Sequence, residues 1–301
     1  MESRGSSRSR MESASDLISL TKPRIVILVL FTSLAGVLLA PGDLHLPDTL
    51  LFLGGMAGIA GACNSLNMVI ERDRDARMSR TMTRPIPSGR LRVQTALVFG
   101  ILLLSLSFPL LHRSTNLLTT LLGALAAALY LGAYTPLKPR SPAALYVGAV
   151  SGAIPALMGT TAGTNTIGAN GLALFGILYA WQLQHFLNIA IRYEEEYRRA
   201  GFRVYPVVEG KETARRRIQW FCVALWIAAL SPLWVGETGI LYLLAACGLS
   251  FYLLTLSVTR AGGLHSPGAD RRQFLAGLVA LPLLLITLVT DIVLIKSDWP
   301  W

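Results

Sequence analysis

Residues 50–90 read LLFLGGMAGIAGACNSLNMVIERDRDARMSRTMTRPIPSGR, an apolar run that passes without a break into a polar, arginine-rich stretch. That change of character decides the fold. The apolar run, continued through residues 65–70, reaches the roughly 20 residues a helix needs to cross a bilayer, so the polar stretch begins where a transmembrane helix leaves the membrane. Asn67, Glu71 and Asp75 stand four apart. At about 100° per residue each step drifts by only about 40°, which puts an amide and two carboxylates on one helical face. Asp73 lies about 200° around from Glu71 and reads as the partner of a neighbouring arginine. Two carboxylates that close repel unless a cation sits between them. Magnesium is the natural candidate, because it takes one or two carboxylates together with the phosphate oxygens of a substrate. Arg72, Arg74, Arg77, Arg80, Arg84, Arg90 and Arg92 add planar phosphate-binding groups. The combination points to a magnesium diphosphate site at a membrane surface. The plainer alternative is an arginine-rich loop that only sets topology or touches anionic headgroups.

The rest of the chain agrees with a lipid solvent. Of its 301 residues 53% are hydrophobic and 15% charged, with a mean hydropathy of +0.53, far more apolar than a soluble domain of this size requires. A net charge of +10 raises the question of nucleic acid. The basic residues sit between apolar runs and form no groove-sized patch with interleaved aromatics, so no nucleic-acid partner is expected. Cys63, Cys222 and Cys247 lie in apolar segments without a C-x-x-C and read as buried spacers.

Apolar segments long enough to span occur at 24–40, 49–70, 93–111, 117–134, 143–161, 168–191, 218–235, 239–258 and 274–295. They predict an all-α integral membrane protein, nine transmembrane helices in a bundle, with residues 1–16 a disordered tail and 17–301 a single polytopic domain. Arg4, Arg8 and Arg10 ahead of the apolar run imitate a secretory signal, but the topology needs that run as a span. Pro109, Pro155, Pro232 and Pro282 fall inside spans and predict kinks. Gly54 with Gly58 and Gly148 with Gly152 predict close helix approach. All but two of the 27 Lys and Arg residues, Arg113 and Lys296, fall in the tail or in alternate connections. The positive-inside rule then places the amino terminus in the cytoplasm, with all candidate chemistry on one face; a cell membrane is expected, and a mitochondrial inner membrane is the weaker alternative, since Glu2 and the short tail count against a transit peptide.

Three further groups stand out. Lys22 and Arg24 flank Pro23 ahead of the first span and read chiefly as side chains snorkelling to headgroups, with reach to a phosphate as the alternative. YTPLKPRSP, residues 134–142, closes the fourth span, and Lys138 there is placed to stabilise a departing diphosphate. In the sixth span Trp181, Gln184, His185, Asn188 and Arg192 fall within an arc of about 100°. Polar groups at that depth predict an interior site. Glu194, Glu195 and Glu196 follow, either as a second cation site or as a solvated turn paired with Arg198 and Arg199.

These residues resemble the UbiA-type intramembrane prenyltransferases, and among them the haem-using branch. The resemblance rests on TKPR at 21–24, N-x-x-x-E-x-x-x-D at 67–75 followed by M-x-R-T-x-x-R-P at 78–85, YTPLK at 134–138, GAIPALMG at 152–159, WQLQHF at 181–186 and EEYRRAGFRVYPVV at 195–208. It implies nine helices around a lipid-open central cavity and Mg²⁺-dependent transfer of a prenyl group from its diphosphate. In the haem-using branch that means farnesyl diphosphate as donor and haem B as acceptor, giving haem O for haem A synthesis or haem–copper oxidase assembly. Asn67, Glu71 and Asp75 would hold the metal, Arg72, Arg80, Arg84 and Lys138 the diphosphate, and His185, Asn188 and Arg192 the porphyrin. The chain departs from the superfamily at Glu71, commonly Asp, and in the sixth span, where Gln184, His185 and Asn188 replace a second Asp-rich motif. A quinone or chlorophyll-type acceptor is the alternative within the family. A cation pathway through a transporter is the reading from another class, and magnesium-dependent diphosphate release in detergent separates it.

Overall fold

The computed structural model describes residues 14–42, 44–235, 238–261 and 268–297. Among them there is no strand. The helices in chain order are α1 (Ala14–Leu20), α2 (Pro23–Leu39), α3 (Leu46–Asp75), α4 (Val93–Ser114), α5 (Leu117–Ala128), a π-helical turn (Leu129–Tyr134), α6 (Thr135–Leu137), α7 (Ala144–Thr164), α8 (Ala169–Arg192), α9 (Glu194–Arg199), α10 (Tyr205–Glu209), α11 (Lys211–Trp234), α12 (Ile240–Ala261) and α13 (Ala269–Ser297). Among the described residues eight segments are long and apolar enough to cross a membrane. A ninth crossing results when α1 and α2, bent by 50° at their junction, count as one.

The disordered tail expected over residues 1–16 falls mostly outside the described residues, but its end needs correcting. Residues 14–16 are already helical. Asp16 pairs with Arg90 at 3.2 Å, and Leu17 and Leu20 pack with Met68, Ile86 and Leu91, so both charge and apolar contact hold the segment down.

The helices divide by what surrounds them. The membrane windows of α7 and α8 are 78% and 67% buried, that of α4 only 17%, so α7 and α8 run through the middle while α4 faces lipid. Leu97, Val98, Ile101, Leu102 and Leu106 on α4 are accordingly exposed, at no penalty where the solvent is hydrocarbon. Because lipid is as apolar as leucine, close packing and not water exclusion holds such helices together. The tightest backbone approach is between α2 and α7. A Cβ on Gly36 would lie 2.4 Å from the Ala156 carbonyl oxygen, and one on Gly159 would lie 2.1 Å from that of Ser33. The glycine pairs singled out in the sequence do something different. Gly58 makes room for the Ser107 hydroxyl, Gly148 for the Tyr134 ring and Gly152 for the Gln182 amide, whereas Gly54 meets only ordinary contact. All four interior prolines lie within helices, as expected. Cys63, Cys222 and Cys247 are free thiols.

Candidate active site

The longest helix builds the site. α3 does not stop at the end of its apolar run but continues as one 30-residue helix to Asp75, so the four-residue spacing stays in register. Asn67, Glu71 and Asp75 are all buried and line one cavity of about 440 Å³. Buried carboxylates need counter-charge, and it arrives from separate parts of the chain. Lys138 Nζ lies 2.8 Å from Glu71 Oε1, and Arg84 Nη1 donates to Asp75 Oδ2 at 2.6 Å. The Asn67 amide donates to Thr135 Oγ1 at 3.0 Å, while its oxygen accepts from Lys22 Nζ at 3.5 Å.

Local structure explains how these groups arrive. Lys22 occupies the break between α1 and α2 in the left-handed region, φ 52°. The preceding carbonyl, of Thr21, accepts from Asn64 Nδ2 at 3.0 Å, and Pro23 starts the next helix. That pins a conformation few non-glycine residues adopt and turns the lysine into the cavity. On the other wall the π-helical turn keeps Tyr130 and Tyr134 nearly in register, with ring centroids 5.3 Å apart. Lys138 follows with Nζ 5.1 Å from the Tyr134 ring and 5.0 Å from that of Phe202. Burial opposes the Lys138 ammonium, but the Glu71 carboxylate and neighbouring tyrosines outweigh it and hold its pKa above the ordinary lysine range.

The connections between spans close the polar end. Phe202 packs with Met78 and Ala200 in a small apolar cap. Glu196 accepts from the Ser79 hydroxyl at 2.8 Å and the Arg80 backbone N–H at 3.3 Å, and the Arg203 N–H donates to the Lys138 carbonyl at 3.0 Å. The glutamate run is thereby engaged, with Glu194 paired to Arg198 and Lys211 and Glu195 to Arg198. None of the three lines the cavity.

Of the arginines expected at the diphosphate, Arg80 and Arg84 line the cavity and Arg72 does not. Arg72 lies on the outer face of α3, where its Nε reaches Asp73 at 3.4 Å. One residue after Glu71, it is turned about 100° away from the cavity face. The polar stripe of α8 also needs correcting. Trp181 and His185 line the cavity, but Gln184, Asn188 and Arg192 do not. The residues of α8 at the cavity wall, Leu178, Trp181, Gln182, His185, Phe186 and Ile189 among them, centre on a direction rotated by roughly 90° or more from Gln184 and Asn188. Asn188 is buried and donates to the carbonyl and Oε1 of Gln184, both at 2.9 Å, while Arg192 is exposed.

The sequence reading undervalued Lys22 and missed Gln182, Tyr130, Tyr197 and Phe202, all at the cavity wall. A signal existed for one of them. Tyr130, Tyr134 and Lys138 repeat the four-residue spacing of Asn67, Glu71 and Asp75.

The donor set fits a hard divalent cation. The ion pairs of Glu71 and Asp75 each use one oxygen, Oε1 and Oδ2, which leaves a second carboxylate oxygen on each, with the Asn67 carbonyl on the same face. Among the described residues no group of three or more His, Cys, Asp or Glu is placed to hold a metal. A site completed by substrate oxygens, in the manner of magnesium, suits these residues better than a protein cage.

The cavity runs from this polar mouth to the apolar side chains of Met56, Ile59 and Met158. Between Glu71 and Met56 it follows α3 for about 22 Å. A site of this form suits a ligand with an anionic head and an apolar chain.

Comparison with known proteins points the same way. A family profile described as the UbiA prenyltransferase family matches residues 29–280. A protoheme IX farnesyltransferase of Myxococcus xanthus (strain DK1622) is 47% identical over 240 residues, covering 79% of this chain and 82% of its own. One of Anaeromyxobacter dehalogenans (strain 2CP-C) is 42% identical over 276 residues, covering 91% and 92%. Among solved structures, one described for digeranylgeranylglyceryl phosphate synthase superposes with a TM-score of 0.78 at 16% identity, over 94% of this chain and 99% of its own. A UbiA homolog from Archaeoglobus fulgidus bound to DMAPP and Mg²⁺ gives 0.68 at 15% identity, over 94% and 100%.

Proposed function

The chain belongs to the UbiA prenyltransferase family, and we propose that within it this protein transfers the farnesyl group of farnesyl diphosphate to a vinyl group of protoheme IX, releasing diphosphate and giving haem O. The observation that carries the chemistry is the buried pair of carboxylates at the mouth of an apolar cavity, met there by Lys22, Lys138, Arg80 and Arg84. The names of the relatives support the acceptor.

Asn67, Glu71 and Asp75 would hold magnesium, which when bound neutralises the diphosphate and makes it a better leaving group. Lys138, Arg80 and Arg84 bring positive charge to the same oxygens, and Lys22 adds a hydrogen-bond donor; together they stabilise the negative charge that develops as the allylic C–O bond breaks. The electron pair of that bond leaves with the diphosphate. The apolar wall and the rings of Tyr130 and Tyr134 keep water from the allylic cation, whose positive charge suits an aromatic face. The vinyl group then donates its electrons to form the new C–C bond. Water adds to the cation left on the former vinyl group and loses a proton, completing the hydroxyethyl carbon. The basic connections support a cytoplasmic mouth, by the positive-inside rule.

Mass spectrometry of haem extracted from cells with and without the protein tests the reading. A farnesylated, hydrated haem in the first only is the expected result. Purified protein that prenylates a quinone ring and ignores haem B, when both are offered with farnesyl diphosphate, would overturn the acceptor and leave the transferase.

A further inference from the structure

The seam between α8 and α13 holds polar groups that nothing among the described residues satisfies. Gln184 is fully buried and its Nε2 has no hydrogen-bond partner; His185 Nδ1, on the next residue, has none either. Both lie against α13. A Cβ on Gly277 would meet the Gln184 amide nitrogen at 2.9 Å, and the His185 ring is stacked between Trp181, at 4.6 Å, and Phe274, at 5.5 Å. Trp181 Nε1 donates to the Gly277 carbonyl at 2.6 Å. Arg192, about 12 Å further along α8 than Gln184, is exposed with its guanidinium 5.7 Å from the Phe274 ring. Among the described residues it makes no ion pair. An interface built only to hold two helices together would be apolar or fully paired, since a buried donor left without an acceptor destabilises whatever contains it.

The cavity poses a complementary problem. At about 440 Å³ it lies in the lower part of the roughly 300–1,000 Å³ range that encloses one drug-sized ligand, and farnesyl diphosphate is itself such a ligand. A porphyrin needs room elsewhere. The seam adjoins the cavity through Trp181 and His185, which belong to both.

We propose that the acceptor docks in this seam. α13 parts from α8, and the planar macrocycle enters between Trp181 and His185 on one side and Phe274 on the other. Its carboxylates meet Arg192 at the membrane surface, and its vinyl edge faces the cavity. Gln184 Nε2 and His185 Nδ1 gain partners only when this site is filled, and Gly277 supplies the one stretch of α13 with no side chain to obstruct a flat ligand. The proposal rests on haem B being the acceptor.

The test is a titration of the purified full-length protein in detergent with haem B, followed by its Soret band, with haem dimethyl ester as a second probe. Gln184→Leu makes the seam apolar and favours its closed form. It is expected to weaken haem B binding on the order of tenfold, with farnesyl diphosphate affinity and the unfolding midpoint no lower than wild type. Arg192→Gln is expected to weaken haem B by a similar factor and leave the ester unchanged, because the ester has no carboxylate to lose. Should Gln184→Leu fail to fold, the Arg192→Gln contrast between acid and ester decides alone. Wild-type haem B affinity in both variants overturns the seam as the docking site even if haem O is made. A wild-type protein that binds farnesyl diphosphate but shows neither saturable haem binding nor haem O overturns the functional reading instead.

Discussion

Asn67, Glu71 and Asp75 on α3 and Gln184, His185 and Asn188 on α8 are the same kind of object in the sequence: polar side chains about one turn apart on an apolar helix. In the folded chain they fare oppositely. All three on α3 face the cavity, and each is met by a group from another element. Of the three on α8 only His185 reaches the cavity, and the seam with α13 keeps two nitrogens unpaired. Periodicity fixes which residues share a face; it does not say which neighbour that face will meet. Charge narrows the choice on α3, because a buried carboxylate without a cation is too unstable to persist. An amide or imidazole carries a smaller penalty and tolerates an imperfect neighbour, so the α8 stripe was free to turn from the cavity.

The largest difference between the two helices is expected at Asp75. If the α3 face is the catalytic one, Asp75→Ala lowers turnover by more than about 10³-fold while the protein still inserts and purifies. Chelation of divalent metal from the wild type should do the same, and added magnesium should restore it. Turnover by the purified variant near the wild-type rate would sink the assignment.

Lys138 tests the claim that α3 depends on its counter-charges. The Lys138 and Glu71 side chains are 15% and 6% exposed, so screening is slight, and Lys138→Met strands a buried carboxylate. A loss of about 3–5 kcal/mol is expected, read as a lower unfolding midpoint in detergent. Adding Glu71→Gln should recover most of that stability and none of the activity. A single variant as stable as wild type would show that Glu71 has water or another partner.

Lys22 sharpens the comparison because it is a donor to the α3 face that the sequence undervalued. Lys22→Ala should reduce farnesyl diphosphate turnover by about 10–100-fold, mainly through KM. Arg24→Ala, on an exposed residue two positions away, should change it little. Equal effects from both would return Lys22 to the headgroup-binding role.

How much of this was legible depends on the range of the signal. Span positions follow from twenty-residue hydropathy, and every expected span lies on a helix. The α3 triad follows from spacing within one helix. Lys22 was misjudged because its direction depends on a left-handed backbone at a helix break, which the residue before a proline does not usually adopt. Tyr130 shares the four-residue spacing of Tyr134 and Lys138, but a tyrosine in an apolar span serves packing as readily as a site, and spacing does not separate the two. The α8 stripe was misplaced because its direction depends on where α13, about a hundred residues later, comes to rest. Each miss lies where local pattern gives way to long-range packing.

Arg72 supplies the smallest expected effect. By composition it belongs with Arg80 and Arg84; by angle it does not, since one residue beyond Glu71 on a continuous helix points about 100° away. Its partner Asp73 is 82% exposed, and a surface pair of that kind contributes about 0–1 kcal/mol. Arg72→Ala should therefore leave turnover within about twofold of wild type, while Arg84→Ala removes the partner of a buried aspartate and lowers both stability and rate. If the two variants were equally impaired, α3 would have to end before Asp75 in the working protein, and with it would go the register that brings Asn67, Glu71 and Asp75 together.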